Sequence, residues 1–159
     1  MTTAAPWTIL LIIHAVVGTA LLGALTHQAS AVLLPLRQPA GFFANRFRSV
    51  LPASYASAIV YLYVTQFLLG AQLYIRYFVS IRPAMEEFDS WKTIAAFDVK
   101  VNAVTLGLSL VPAYWYFWTQ FRTNEVVLAR KWLTVCLAMI VWYAFIVGHL
   151  AVNVRGMAY

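Results

Sequence analysis

The sequence predicts an all-α integral membrane protein, a four-transmembrane-helix bundle with short links. Three observations carry that expectation. The 159 residues are 63% hydrophobic and 10% charged, where soluble domains carry about 25% charged residues. Four apolar stretches, at about 7–34, 54–81, 97–118 and 132–152, reach the roughly 20 residues that a helix needs to cross a bilayer. Each is a continuous run, not an alternating one, so each is read as a helix, because lipid offers backbone N–H and C=O groups no partners.

The first span opens at Trp7 behind MTTAAPWT, which has no basic leader. The apolar run behind it is too long for a signal sequence, so it reads as a retained span. The link LRQPAGFFANRFRSVLPAS carries Pro39, Gly41 and Pro52, which punctuate the helices on both sides. The second span, Ser54–Ile81, runs into the link RPAMEEFDSWKTIAA, which holds most of the acids. Within it Met85–Ala96 is expected as a short interfacial helix. Pro112 falls late in the third span, Phe97–Trp118, and is expected to kink it. The basic link QFRTNEVVLARK leads to the fourth span, Trp132–Val152. No link is long enough to divide the chain, so residues 1–159 are expected to form a single transmembrane domain.

Basic residues set the orientation. The first and third links share a side and hold Arg37, Arg46, Arg48, Arg122, Arg130 and Lys131. The other side holds Arg82 and Lys92 in the second link and Arg155 in the tail, with Arg76 and Lys100 near helix ends. The positive-inside rule then places the basic links in the cytoplasm and both termini on the outer side, in a bacterial inner membrane. Trp7, Trp91 and the run Tyr114-Trp115-Tyr116-Phe117-Trp118 are expected as interfacial anchors.

Composition also removes function classes. The single Cys136 rules out an intramolecular disulfide and any paired-thiol chemistry. The net charge of +6 comes from residues at span ends, which topology explains better than a nucleic-acid surface. No HExxH, Walker A or GxSxG motif occurs, and the three histidines lie on two helices at two depths, which argues against a three-His metal centre.

The polar residues at membrane depth are the candidate site. A helix rises about 1.5 Å per residue, which puts His14, Gln72, Arg76, Asp98, Lys100, Asn102 and His149 in one outer layer fed by all four spans. Ionisable groups at such depth are costly and default to function. Asp98 and Asn102 share a helix face, and Arg76 is expected to pair with Asp98. His14 and His149 stand at compatible depths on the first and fourth helices. They are the expected axial ligands of one haem b, with Arg76 and Lys100 near its propionates and Asp98, Asn102 and Gln72 as supporting or proton-linked groups. Gly18 and Gly148 beside the histidines would admit a flat macrocycle or a second backbone. Interhelical hydrogen bonding is the plainer reading of the same histidines.

A quinone head group is the other candidate ligand. Tyr63, Gln66 and Gly70 give the second helix a partly polar face with a gap, read either as a head-group pocket or as a packing face against another subunit. His27, near the cytoplasmic end of its span, reads as a wetted interfacial residue. In outline the chain resembles the small four-helix membrane subunits of bacterial respiratory and electron-transfer complexes. That resemblance rests on architecture and scattered histidines, and it implies a part of such a complex, packed against other membrane subunits and lipid. The alternatives are a cofactor-free accessory or anchor subunit and a small proton-coupled transporter with Asp98 as its coupling group.

Overall fold

A computed structural model describes residues 4–34, 52–120 and 126–157. Helix α1 is Ala4–Leu33. A 3-10 turn, Pro52–Tyr55, leads into α2, Ala56–Arg76. A π-helical segment, Tyr77–Ile81, joins α2 to the short α3, Arg82–Glu87. Helices α4, Trp91–Thr119, and α5, Val127–Met157, complete the order. There is no strand among the described residues. Four segments, Pro6–Leu33, Ala53–Glu87, Trp91–Thr119 and Val127–Ala151, are long and apolar enough to cross a membrane, as the composition predicts.

The four long helices form a ring. α1 packs on α2, α2 on α4, α4 on α5, and α5 back on α1. Consecutive long helices are neighbours, as short links require. α1 and α4 therefore stand on one diagonal, and α2 and α5 on the other. Leu21, Leu25, Ile59, Tyr63, Val111, Tyr114, Leu137 and Val141 fill the centre. The outer surface is equally apolar: Val16, Leu68, Leu106, Met139 and Ile146 are all at least half exposed. A water-facing surface does not carry so many large apolar side chains in one continuous coat; a lipid-facing one does.

Several boundaries differ from the sequence expectation. The third long helix begins at Trp91 and the fourth at Val127, each several residues early. The short helix is Arg82–Glu87 instead of Met85–Ala96. The reason is Asp89, whose φ of 52° puts it in the left-handed region; Asp tolerates that region through its short polar side chain. The chain turns there, and the Ser90 carbonyl accepts from the backbone N–H of Thr93 and Ile94 to start α4. Pro83 accounts for the π segment before it. It has no N–H to continue the α-helical ladder and its ring crowds the preceding turn, so the helix widens upstream. α4 runs unbroken through Pro112. The first link's Arg37, Pro39, Gly41, Arg46 and Arg48, and the third link's Arg122, lie outside the described residues.

Candidate functional site

The start of α1 and the end of α5 lie at one end of the bundle, the terminal end, with the π segment and α3. At the opposite end α1 and α4 finish and α2 and α5 begin. Each end of the interior holds a polar cluster.

Toward the terminal end, His14 of α1 faces α2. The Gln66 amide nitrogen donates to His14 Nε2 at 3.1 Å. An amide nitrogen only donates, so Nε2 accepts and the ring proton sits on Nδ1. That Nδ1 is buried without a hydrogen-bond partner, as is Gln66 Oε1. Glycines make room on both sides. A Cβ at Gly18 would lie 2.8 Å from Gln66 Nε2, and one at Gly70 would lie 3.2 Å from His14 Cε1. Lys100 of α4 is half-buried and turns its ammonium over a ring of its own helix. It sits 4.7 Å from the centre of the Phe97 ring, and a Cβ at Gly148 of α5 would lie 3.3 Å from its Nζ. Next to this cluster Tyr63 is buried, and its hydroxyl donates to the Val104 carbonyl at 3.1 Å.

The expected outer layer therefore divides. His14, Arg76, Asp98 and Lys100 are half-buried, while Gln72, Asn102 and His149 are exposed. Arg76 lies over the Trp7 ring at 5.6 Å and does not pair with Asp98. Arg82 takes that place: its Nη1 faces both Asp98 carboxylate oxygens at 3.4 Å, and its Nε donates to Glu86 Oε1 at 3.0 Å. Asp98 needs a cation, and the turn at Asp89 folds Arg82 over the start of α4, closer than Arg76 on the far side of the π segment.

The two proposed haem ligands do not converge. His14 points at Gln66 on α2. His149 is exposed, and its Nδ1 donates to the Phe145 carbonyl of its own helix at 3.2 Å. Helices α1 and α5 pack directly on each other, and His14 has Gln66 and the Gly70 backbone against its ring. These residues do not fit a haem b held between His14 and His149 of one chain. His149 by itself is posed as metal-binding histidines are, with Nδ1 tied to a carbonyl. Gly18, expected to admit a macrocycle, instead admits the Gln66 side chain. The Tyr63–Gln66–Gly70 face packs within the chain, against α1 and α4.

At the other end, sequence reasoning missed a buried polar cluster. Gln28 and Thr134 are completely buried, and His27 is 8% exposed. The Tyr114 hydroxyl donates to Gln28 Oε1 at 2.5 Å. Trp118 Nε1 donates to Thr134 Oγ1 at 3.1 Å, and Trp142 Nε1 donates to Thr26 Oγ1 at 3.0 Å. Arg130 Nε donates to the Phe117 carbonyl at 2.7 Å, its guanidinium over the Trp118 ring. That carbonyl belongs to the last turn of α4, where helix carbonyls lack partners of their own. His27 lies against Tyr55, ring centres 4.9 Å apart, so it is packed in the bundle and not wetted. Tyr114, expected as an interfacial anchor, is a core residue, while Trp115 and Tyr116 are exposed. The signal was available: Gln28 is an uncharged polar residue inside an apolar run, and such residues seek partners on facing helices.

No family model, curated protein or solved structure matches this chain.

Proposed function

We propose that the chain is a small integral-membrane subunit of an electron-transfer complex, in a bacterial inner membrane with both termini outside. One observation supports the subunit part above the others: polar side chains at membrane depth project outward from the bundle. Asn102 is exposed and lies eleven residues into α4 from Trp91, about 16 Å along the helix axis, close to its middle. Gln72 and His149 are exposed on α2 and α5. Lipid cannot satisfy such groups, and intramembrane polar residues normally face protein. A facing subunit would supply their partners.

The electron-transfer part rests on His149. Its Nδ1–H is held by the Phe145 carbonyl, which leaves Nε2 as the ring nitrogen free to ligate. Where the complex carries haem b, His149 is the residue suited to reach it from this chain, the other ligand coming from a partner; His14 is not. Haem would supply the one-electron carrier. This chain's own contribution is to hold the imidazole in one tautomer at the bundle surface. A quinone is served less well, because the His14–Gln66 contact is closed by backbone.

The test is purification from native membranes in mild detergent, followed by a dithionite-reduced minus oxidised visible spectrum of wild type, His14→Ala and His149→Ala. Co-purifying redox subunits and a b-type band lost only in His149→Ala are expected. A chain that purifies alone, without a band, would overturn the proposal.

A further inference from the structure

A shallow groove of about 300 Å³ lies between α1 and α5, toward the end where α1 finishes and α5 begins. Its lining runs from Thr26 to Leu33 and from Val135 to Trp142, about 10 Å along either helix axis. The floor is Ala29 and Ala138, both buried, and the rims are Leu33, Met139 and Trp142, all exposed. Two alanines meet where larger side chains stand on both sides, so the helices leave a slot that neither fills. The slot opens on the apolar outer surface of the bundle, where lipid lies.

The polar side chains in the lining are turned to the protein. Thr26 Oγ1 accepts from Trp142 Nε1 at 3.0 Å, and the Ser30 hydroxyl donates to the Thr26 carbonyl at 2.8 Å. What the slot presents is mainly methyl and methylene surface. The indole bond also ties the Trp142 rim of α5 to α1, so that wall stands before anything binds. Such a slot suits an apolar chain and offers a polar ring little to bond.

The mouth of the slot is charged. Lys131 stands four residues before Val135, seven before Ala138 and eleven before Trp142 in the unbroken helix α5, a spacing that puts all four on one face. Helical side chains lean toward the start of their helix, which carries the Lys131 ammonium away from the slot and toward the end of the span, where a lysine reaches the interface. Arg130 is turned to α4 by its bond to the Phe117 carbonyl. Both ion pairs among the described residues belong to Arg82, so Lys131 is in neither. Of the five acids, Glu86, Glu87, Asp89 and Asp98 belong to the terminal end, and Glu125 lies outside the described residues.

An apolar slot with a cation on the same helix face complements a molecule that joins an apolar chain to an anionic head. A phospholipid has both, and its phosphate lies at the depth where a span ends. A helix from another chain would have to bring a carboxylate to the level of Lys131. We propose that the α1–α5 groove binds an anionic phospholipid, with an acyl chain over Ala29 and Ala138 and the head group on the Lys131 ammonium. The site requires only that the chain spans a membrane, so it stands or falls separately from the function proposed above.

The experiment is native mass spectrometry of the full chain released from detergent micelles doped with phosphatidylglycerol, or in a second arm with phosphatidylcholine of the same acyl chains. One-to-one adducts should saturate with phosphatidylglycerol, and about fivefold more phosphatidylcholine should be needed, the preference expected of one lysine at a lipid surface. Lys131→Gln should abolish the preference. Ser30→Leu, which puts a larger apolar side chain into the slot, should weaken the adducts of both lipids. Should Ser30→Leu fail to fold, Met139→Ala replaces it: loss of that exposed rim should weaken the same adducts. Equal binding of the two lipids by wild type would overturn the proposal, as would a preference that survives Lys131→Gln. Adducts unchanged by the groove variant would reduce the site to a head-group contact and sink the groove. A second polypeptide in place of lipid in the wild-type spectrum would give the slot to a neighbouring helix, which also overturns the proposal.

Discussion

The Tyr114 hydroxyl donates to Gln28 Oε1 at 2.5 Å, with both residues fully buried. The bond joins α1 and α4, which stand on a diagonal of the bundle and share little other contact. Neighbouring helices are held by broad apolar packing. Across the diagonal a direct side-chain hydrogen bond is added to the shared core, and it restrains how far the two helices stand apart.

Tyr114→Phe should therefore destabilise the chain by about 1–2 kcal/mol, the upper range for a hydrogen bond between membrane helices. The informative measurement is a double-mutant cycle with Gln28→Leu in micelles, read by denaturant unfolding. The two substitutions should couple by about 1 kcal/mol, because each removes the same bond. Simple additivity would show that the contact contributes nothing beyond its packing.

The four spans were legible in the sequence because crossing a bilayer imposes length and apolarity on every crossing segment, and no other part of the chain meets both. The site was legible only in part. Depth can be counted along a helix, which puts His14 and Lys100 in one expected layer. Helix rotation cannot be counted when apolar residues surround the helix on all faces, as they do in α1 and α4. So nothing told His14, which faces inward, from His149 and Asn102, which face outward. Arg82 was read as a loop residue and Arg76 as the partner of Asp98, because the widening at Tyr77–Ile81 and the left-handed Asp89 are set by local geometry that periodicity does not reveal.

Gly107 is the position where α4 has no room for a side chain. A Cβ there would run into the Tyr63 hydroxyl and approach Ile140 Cγ2 at 3.3 Å. Gly107→Ala should cost about 2 kcal/mol, as overpacking of a tight contact does. In a Tyr63→Phe background, where the hydroxyl is gone, the same substitution should cost visibly less. An equal cost in both backgrounds would mean that the helix shifts rather than the tyrosine.

Asp98 is tied to Arg82 at the terminal end, and both side chains are partly exposed, 38% and 28%. An ion pair in that setting contributes little. Asp98→Asn should move Tm by no more than about 2 °C. The same variant bears on transport. A chain reconstituted in liposomes should show no proton-coupled uptake that depends on Asp98, since its carboxylate is held by Arg82. Uptake lost on Asp98→Asn would reinstate the transporter reading.

Arg130 closes the other end. Its Nε takes up the Phe117 carbonyl at 2.7 Å, and its guanidinium covers Trp118. Arg130→Gln should lower Tm by about 2–4 °C, roughly one hydrogen bond in a chain of this size. Trp118 fluorescence should shift as its ring loses the guanidinium. Arg130→Lys should rescue little, because an ammonium does not reproduce a planar group stacked on an indole.

Asn102 separates stability from assembly. It is exposed near the middle of α4, where a polar side chain costs the isolated chain energy and gives it nothing. Asn102→Leu should leave the isolated chain in micelles as stable as wild type or more so. On the proposal that a second subunit faces Asn102, the same substitution in native membranes should weaken recovery of that subunit, because the hydrogen bond proposed across the interface would be lost. Two readings of one variant thus pull in opposite directions: Tm held or raised, co-purification reduced. A variant that destabilises the isolated chain would place Asn102 inside the bundle, and one that leaves co-purification intact would place the partner on another face.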